Sequence, residues 1–169
     1  MLIRQEKPKD YKEIHNLITE AFATADHSDG NEQNLVAALR KSDAFIPELS
    51  LVAEVDGEIV GHILFTRAKV GEDEVLALAP LSVKPVYQRQ GVGTALVMEG
   101  HKIAKRLGCQ YALVLGSELY YPRFGYMPAE QFGIMIPEGF PASNFMAVKL
   151  QENAKAISGA VTYAKEFGI

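Results

Sequence analysis

Two glycines separated by one residue, Gly91 and Gly93, lie where an apolar run gives way to a segment with helical spacing. The run VLALAPLSV before them predicts a strand, and TALVMEGHKIAKRL after them predicts a helix. Backbone amides exposed at a helix start, together with the helix dipole, favour an anion. Glycine lets a phosphate lie against the main chain because it has no Cβ. The pattern predicts an anion site, and a turn that is merely tight is the alternative.

The residues around the glycine pair narrow the kind of anion site. Gln88 and Arg89 add side-chain donors, and arginine matches phosphate geometry. A dinucleotide fingerprint needs a third small residue where this chain has Leu96, and an acidic residue about twenty positions later that is absent here. A P-loop needs a Gly-Lys pair, which the chain lacks. Neither of these two nucleotide motifs is present.

Composition limits the class of protein. The chain has 169 residues, 48% of them hydrophobic, which suits one domain with a substantial core. A net charge of −4 argues against a general nucleic-acid binder. The single cysteine, Cys109, excludes an internal disulfide and any multi-cysteine zinc site. We interpret it as a small buried hydrophobic residue, and we expect no metal.

The charged start MLIRQEKPKDY does not resemble a signal peptide, and no apolar run approaches the roughly 20 residues of a membrane span. We expect a cytoplasmic protein without membrane or nucleic-acid partners.

Periodicity and turn signals predict the element order β-α-α-β-β-β-α-β-α-β-β. Asp10 is the predicted N-cap of the first helix, and Asp56-Gly57 predicts a hairpin. The segment ELYYPRFGY is too short and irregular for a full helix, and Pro122 fits the first turn of a short one. GIMI and FMAVKL are the last two predicted strands. This order implies a mixed sheet whose one βαβ crossover spans the glycine pair.

Three segments together resemble the GNAT acyltransferase family. Gln88-Arg89-Gln90-Gly91-Val92-Gly93 resembles its Gln/Arg-x-x-Gly-x-Gly/Ala signature, Leu81-Ser82-Val83 resembles the end of its fourth strand, and Tyr120-Tyr121-Pro122-Arg123-Phe124-Gly125-Tyr126 resembles its Tyr-x-Arg-Phe-Gly-Phe segment. The resemblance covers roughly Leu2 to Leu150. It implies an α/β (α+β) GNAT fold, with a mixed, mostly antiparallel sheet of about seven strands, splayed between the fourth and fifth and flanked by about four helices. Residues 1–150 would form the GNAT domain, with 151–169 as a C-terminal extension packed on it.

The resemblance also implies acetyl-CoA as co-substrate. Pro80 lacks an N–H and favours a bulge, which would free the backbones of Leu81 and Val83 for the pantetheine arm. The Leu81 amide would polarise the thioester carbonyl, and Tyr121 would donate a proton or hydrogen bond to the leaving thiolate. Tyr120, Phe124 and Tyr126 are expected to be packing residues. The residues expected to contact the cofactor are Leu81, Ser82, Val83, Gln88, Arg89, Gln90, Gly91, Val92, Gly93, Thr94, Ser117 and Tyr121.

No general base can be assigned by resemblance. Ala77 and Ala79 occupy fourth-strand positions where some relatives carry a glutamate or histidine. The remaining candidates are Glu32, His27, Glu54 and His62, each with an ordinary structural alternative. Glu32 and His27 are also the predicted substrate-binding residues, because the loop with Asp26, Asp29 and Glu32 would attract a cationic acceptor unless it is simply solvated. His101, among lysines, is expected to be exposed.

The implied reaction moves an acetyl group from acetyl-CoA to a primary amine of a small molecule by direct attack in a ternary complex. A non-catalytic acyl-CoA sensor and an acetyltransferase acting on a protein N-terminus or lysine are the alternatives. A homodimer is compatible with the sequence. The tail QENAKAISGAVTYAKEFGI would add a strand or cover the acceptor site.

Overall fold

A mixed β-sheet flanked by helices forms the framework in a computed structural model, which describes residues 1–25 and 28–169. The α-helices are α1 (Tyr11–Phe22), α2 (Glu32–Arg40) and α3 (Val92–Arg106). The strands are β1 (Leu2–Gln5), β2 (Phe45–Val55), β3 (Glu58–Val70), β4 (Asp73–Val83), β5 (Tyr111–Leu115), β6 (Met127–Pro128), β7 (Phe145–Lys149) and β8 (Val161–Thr162).

The strand order is β1-β2-β3-β4-β5-β7-β6, and β8 pairs with the far end of β3. Every neighbouring pair is antiparallel except β4 and β5, which are parallel and are connected through α3. The predicted mixed, mostly antiparallel sheet is therefore confirmed. β4 and β5 pair only at Leu76 with Ala112 and at Ala77 with Leu113, so the two strands separate beyond that point, as predicted.

A bulge in β4 coincides with the start of this separation. Phe65 of β3 faces Leu78 of β4, but Ile63 faces Leu81, so β4 carries one extra residue across this interval. Pro80 lies within it and has no N–H to donate to a ladder. The bulge follows from this missing donor, as the sequence predicted.

The two faces of the sheet carry different helices. α3 packs closely on one face, because a Cβ at Gly61 of β3 would lie only 2.8 Å from the Cγ1 atom of Val92. On the other face, Leu64 belongs to the same buried cluster as Ile18 of α1 and Leu39 of α2. The start of α3 and the helices α1 and α2 therefore lie on opposite sides of the β4–β5 opening.

Three local predictions need correction. The fourth helix is a 3₁₀ turn, Tyr121–Phe124, closed by Gly125 at φ +95°, so the described residues contain three α-helices rather than four. GIMI forms no strand; its Ile134 makes an isolated bridge to Gly159. Asp10 does not cap α1 through its side chain, because its carboxylate accepts hydrogen bonds from Arg4 and from the backbone N–H of Lys7.

The C-terminal segment returns to the sheet. β8 pairs with β3 at Lys69 and Val70, and Phe167 packs against the cluster beneath α1 and α2. The tail thus supplies both a strand and a wall beside α2. Within the described residues, no helix has the length and apolar character needed to cross a membrane.

Candidate active site

A cleft of about 650 Å³ lies between the end of β4 and the start of α3. Its lining residues are Leu81, Val83, Gln88, Arg89, Gly91, Gly93, Thr94, Tyr120 and Arg123. All but Tyr120 and Arg123 were predicted as cofactor contacts. The cleft therefore brings together, from strand, loop and helix, most of the set expected from the sequence.

The loop before α3 has an unusual backbone. Arg89 and Gly91 both adopt left-handed conformations, with φ of +63° and +87°. This geometry costs a residue with a Cβ roughly 1–2 kcal/mol, so its presence at Arg89 indicates that the loop shape is required. A Cβ at Gly91 would meet no described atom within 4 Å, which places that position on open space. Arg89, Gly91 and Gly93 line the cleft at the start of α3, where a helix leaves its first amides without intrahelical partners and carries its positive dipole end.

The free edge of β4 faces the same cleft. The N–H of Lys84 donates to the carbonyl of Val60 on β3 at 2.8 Å. Because successive residues of a strand direct their polar groups to opposite edges, Ser82 also faces β3, whereas Leu81 and Val83 face away from it. β5 has already separated there, so the Leu81 and Val83 backbones point toward the opening. The Val83 carbonyl accepts one hydrogen bond from Gln88 Nε2 at 3.1 Å and retains a second lone pair.

Some predicted cofactor residues lie outside the cleft lining. Ser82 is 2% exposed, and Val92 is buried beneath the first turn of α3. Gln90 donates its side-chain amide to the Val86 carbonyl at 2.9 Å. Ser117 organises the following turn, since its hydroxyl accepts the Leu119 N–H at 3.1 Å. The structure gives these four residues roles in the shape of the site.

Tyr120 is the site residue that the sequence interpretation missed. Its hydroxyl lies 3.5 Å from the Thr94 hydroxyl, at the start of α3. The guanidinium of Arg123 stacks 4.5 Å from the centre of the Tyr120 ring. Tyr120 packs against the main core cluster, as predicted, and it also lines the cleft, which was not predicted. Tyr120 directly precedes Tyr121 in the sequence, and nothing in the local pattern distinguishes the surroundings of the two side chains.

Tyr121 lies deeper, against the end of β5. A Cβ at Gly116 would collide with the Tyr121 ring, so the missing side chain at this glycine makes room for the tyrosine. Burial raises the pKa of the Tyr121 hydroxyl, with a further rise from the adjacent Tyr120. The hydroxyl therefore stays protonated at neutral pH, as a proton or hydrogen-bond donor requires.

A second cavity, of about 600 Å³, lies on the α2 side of the opening. From the sheet it is lined by residues of the separated strands, namely Ala77, Leu78, Ala79, Leu113, Val114 and Leu115. From the other side it is lined by Asp29, Asn31, Glu32, Asn34, Leu35, Ala38, Phe140, Tyr163, Glu166, Phe167 and Ile169. The lining therefore includes Glu32, one of the two predicted substrate-binding residues, and the C-terminal segment forms part of the cavity wall.

Of the other candidate bases, His62 and Glu54 are not among the residues that line this cavity, and His27 is not described. His62 is fully buried, with its Nε2 atom 3.1 Å from Ser50 Oγ and 3.3 Å from a Glu6 oxygen. Burial lowers the pKa of His62, against the opposing hydrogen bond to Glu6. Glu54 pairs with Arg4 at 3.1 Å. His27 lies outside the described residues. Among the four candidates, Glu32 is the one found in the cavity lining.

Two further predictions concern side chains on α3 and after it. His101 is 8% exposed rather than solvated, and its Nε2 atom lies 3.0 Å from the Tyr126 hydroxyl. Burial lowers the pKa of His101 to about 4, with Lys105 contributing, so the imidazole is neutral. Cys109 is half-buried against the core, and burial raises the pKa of its thiol, which does not suit a nucleophile.

With this geometry established, comparison with known proteins identifies the family. The model of the acetyltransferase (GNAT) family matches residues 11–126. YjhQ, an uncharacterized N-acetyltransferase of Escherichia coli, is 42% identical over 137 residues, covering 79% of this chain and 70% of YjhQ. YhbS, an uncharacterized N-acetyltransferase of the same species, is 34% identical over 171 residues, covering 99% of this chain and 98% of YhbS. The chain belongs to the GNAT family of N-acetyltransferases.

Solved structures agree with this assignment. The crystal structure of Escherichia coli YhbS in complex with CoA superposes with a TM-score of 0.89 at 29% identity, covering 99% of this chain and 92% of that one. A GNAT family acetyltransferase from Brucella melitensis, in complex with acetyl-CoA, superposes with a TM-score of 0.82 at 32% identity, covering 98% and 97%. The GNAT fold predicted from the sequence is thereby confirmed.

Proposed function

We propose that this acetyltransferase moves an acetyl group from acetyl-CoA to a primary amine of a small molecule, by direct attack within a ternary complex. One observation carries the proposal: two cavities flank the same strand opening. Leu81 and Val83 line the first cavity, and Leu78 and Ala79, a few residues earlier on β4, line the second. Two substrates bound from opposite sides would meet at that opening.

The first cavity fits the cofactor by its donor set. The amides between Arg89 and Thr94 would hold the pyrophosphate, since glycines and a helix start favour close phosphate approach. The outward-facing backbones of Leu81 and Val83 would hold the pantetheine amides. The relatives from Escherichia coli and Brucella melitensis, bound to CoA and acetyl-CoA, support this proposal.

The chemistry requires one new bond and one broken bond. Acetyl-CoA supplies a thioester whose carbonyl carbon a neutral amine attacks, so that the C–N bond forms as the C–S bond breaks. A preorganised donor near the developing oxyanion, here the Leu81 amide, is worth roughly 3–4 kcal/mol. The Tyr121 hydroxyl would supply the proton for the departing sulfur, the attacking nitrogen would release one proton to solvent as the amide forms, and solvent would reprotonate Tyr121. Ala77 and Ala79 provide no general base on β4. The proposal therefore requires that the amine already be neutral when it attacks the thioester.

The test is a free-thiol release assay with acetyl-CoA across amines, amino acids, polyamines and aminoglycosides, with product masses measured. We expect CoA release that needs both the protein and a primary amine, while matched tertiary amines give none. Tight acetyl-CoA binding without CoA release for any acceptor would support the sensor alternative. Release with peptides alone would support a protein acceptor.

A cytoplasmic location is part of the proposal, and the single half-buried cysteine is compatible with it.

A further inference from the structure

The lining of the second cavity has two chemically different sides. The sheet side, at the strand opening, is apolar and consists of Ala77, Leu78 and Ala79 from β4 and Leu113, Val114 and Leu115 from β5. The charged side chains come from the other side: they are the carboxylates of Asp29, of Glu32 at the start of α2, and of Glu166 in the C-terminal turn. The cavity lining, within the described residues, includes no lysine, arginine or histidine. The charge of the described lining is therefore uniformly negative, and the sheet side carries none of it.

These carboxylates are available to a ligand. Within residues 1–25 and 28–169, Asp29, Glu32 and Glu166 form no ion pair within 4 Å. Ser28 Oγ lies 2.7 and 2.8 Å from the two Glu32 oxygens, but one hydroxyl donates only one hydrogen. Glu32 therefore retains an oxygen that can accept from a ligand. Several like charges around one partly enclosed cavity attract a cation.

An ordinary monoamine does not satisfy both sides at once. Carboxylates stabilise the ammonium form, whereas attack on a thioester requires the neutral amine. The apolar side favours the neutral form, because burial disfavours a charged nitrogen. A molecule with two nitrogens resolves this conflict, since one nitrogen stays charged at the carboxylates while the other becomes the nucleophile. The lining also contains apolar side chains outside the sheet, including Leu35 and Phe167, which suit a methylene chain.

We propose that the acceptor is an aliphatic di- or polyamine, bound with one ammonium group at Asp29, Glu32 and Glu166 and its reactive nitrogen at the β4–β5 opening. This inference rests on the proposed acetyl transfer. The balanced reaction converts one ammonium group and the thioester into an amide, a free thiol and one released proton. The second ammonium group is unchanged throughout.

The first test compares cadaverine with pentylamine, which has the same five-carbon chain but lacks the second nitrogen. With acetyl-CoA saturating and ionic strength fixed, we expect kcat/KM for cadaverine to exceed that for pentylamine at least tenfold. Added salt should reduce this ratio, because it screens the carboxylates. Equal kcat/KM values for the two amines would overturn the inference.

The second test assigns the preference to named carboxylates. Glu32→Gln and Glu166→Gln should each reduce kcat/KM for cadaverine at least fivefold and reduce it less for pentylamine. Glu130→Gln removes the same charge from an exposed position outside the cavity lining, so it should keep the wild-type ratio. Because Glu32 and Glu166 lie on separate elements, one variant remains informative if the other misfolds. A wild-type ratio in both folded variants would contradict the proposal.

The two proposals fail in different ways. If neither cadaverine nor pentylamine is acetylated but an amino acid or aromatic monoamine is, the diamine inference is wrong and acetyl transfer to an amine stands. If acetyl-CoA binds and no amine in the panel releases CoA, the proposed function is itself wrong.

Discussion

The hydroxyl of Tyr120 occupies the space that a side chain at Gly93 would need: a Cβ there would lie 2.8 Å from that oxygen. Gly93 has an ordinary φ, so its missing side chain matters for close approach rather than for backbone conformation. The Cδ2 atom of Leu81 and the Cγ2 atom of Val83 each lie 3.7 Å from that same Cβ position. Strand, loop and aromatic segment thus converge on one position at the start of α3.

A double-mutant cycle tests this contact. Gly93→Ala should stabilise the protein by less than the roughly 1 kcal/mol usual for this change within a helix, because the new methyl crowds the Tyr120 oxygen. In a Tyr120→Phe background the oxygen is gone, so the same substitution should be more favourable by at least about 0.5 kcal/mol. Thermal unfolding of the four proteins measures the difference. Equal effects in both backgrounds would show that Tyr120 does not restrict residue 93.

Tyr121→Phe tests the assignment of the proton donor. The ring remains against Gly116, so fold and acetyl-CoA affinity should be preserved. Turnover should fall by roughly 10² to 10⁴ if protonation of the leaving sulfur limits the rate. A loss of about tenfold would indicate a hydrogen bond to the thiolate only.

The matched control is Tyr120→Phe. Because Tyr120 lines the cleft proposed to hold acetyl-CoA, this variant should weaken acetyl-CoA binding up to about tenfold, the value of one hydrogen bond, and leave turnover at saturation near wild type. Steady-state kinetics under conditions where chemistry limits turnover separates the two residues. A large turnover loss in the Tyr120 variant alone would transfer the donor role to Tyr120.

Glu6 should govern stability in acid. Burial alone would raise the pKa of Glu6, but hydrogen bonds from His62 and Arg40 lower it to about 2. A carboxylate with a lowered pKa contributes stability above its unfolded pKa of about 4.3 and loses it as pH falls toward the folded value. Glu6→Gln should therefore lower the free energy of unfolding at pH 7 by about 3 kcal/mol, since it leaves Arg40 without its partner.

The measurement is denaturant unfolding of wild type and Glu6→Gln between pH 7 and pH 2.5. The difference between the two proteins should narrow as pH falls below about 4.3, because the wild-type carboxylate then takes up a proton. A difference that is constant across this range would contradict the assigned role of Glu6.

The sequence predicted the elements that local chemistry determines. Gly91 and Gly93 indicated the loop before α3, and Pro80 indicated the bulge that accompanies the separation of β4 from β5. Glycine and proline each change the backbone within a few residues, so their consequences can be predicted from the sequence before the fold is known. The same holds for most of the lining of the first cleft, which comes from the two short segments 81–94 and 120–123.

Tertiary contacts determine the features that the sequence did not predict. Tyr120 and Tyr121 are adjacent and chemically identical, and only packing directs one to the cleft and the other to Gly116. His101 lies among exposed lysines, but a hydrogen bond to Tyr126 accompanies its burial. The second cavity is lined by residues of α2 and by Glu166 and Phe167, more than a hundred residues away along the chain. No local pattern encodes these contacts.

The central claim, that the loop before α3 binds the pyrophosphate of acetyl-CoA, is tested most directly by calorimetric titration of acetyl-CoA into wild type and Gly93→Val. The valine side chain would enter the cleft between Tyr120 and β4, where the cofactor has to lie against the backbone. The account predicts at least tenfold weaker binding, on the order of 1.4 kcal/mol, in a variant that still unfolds cooperatively. Unchanged affinity in that folded variant would contradict the assignment.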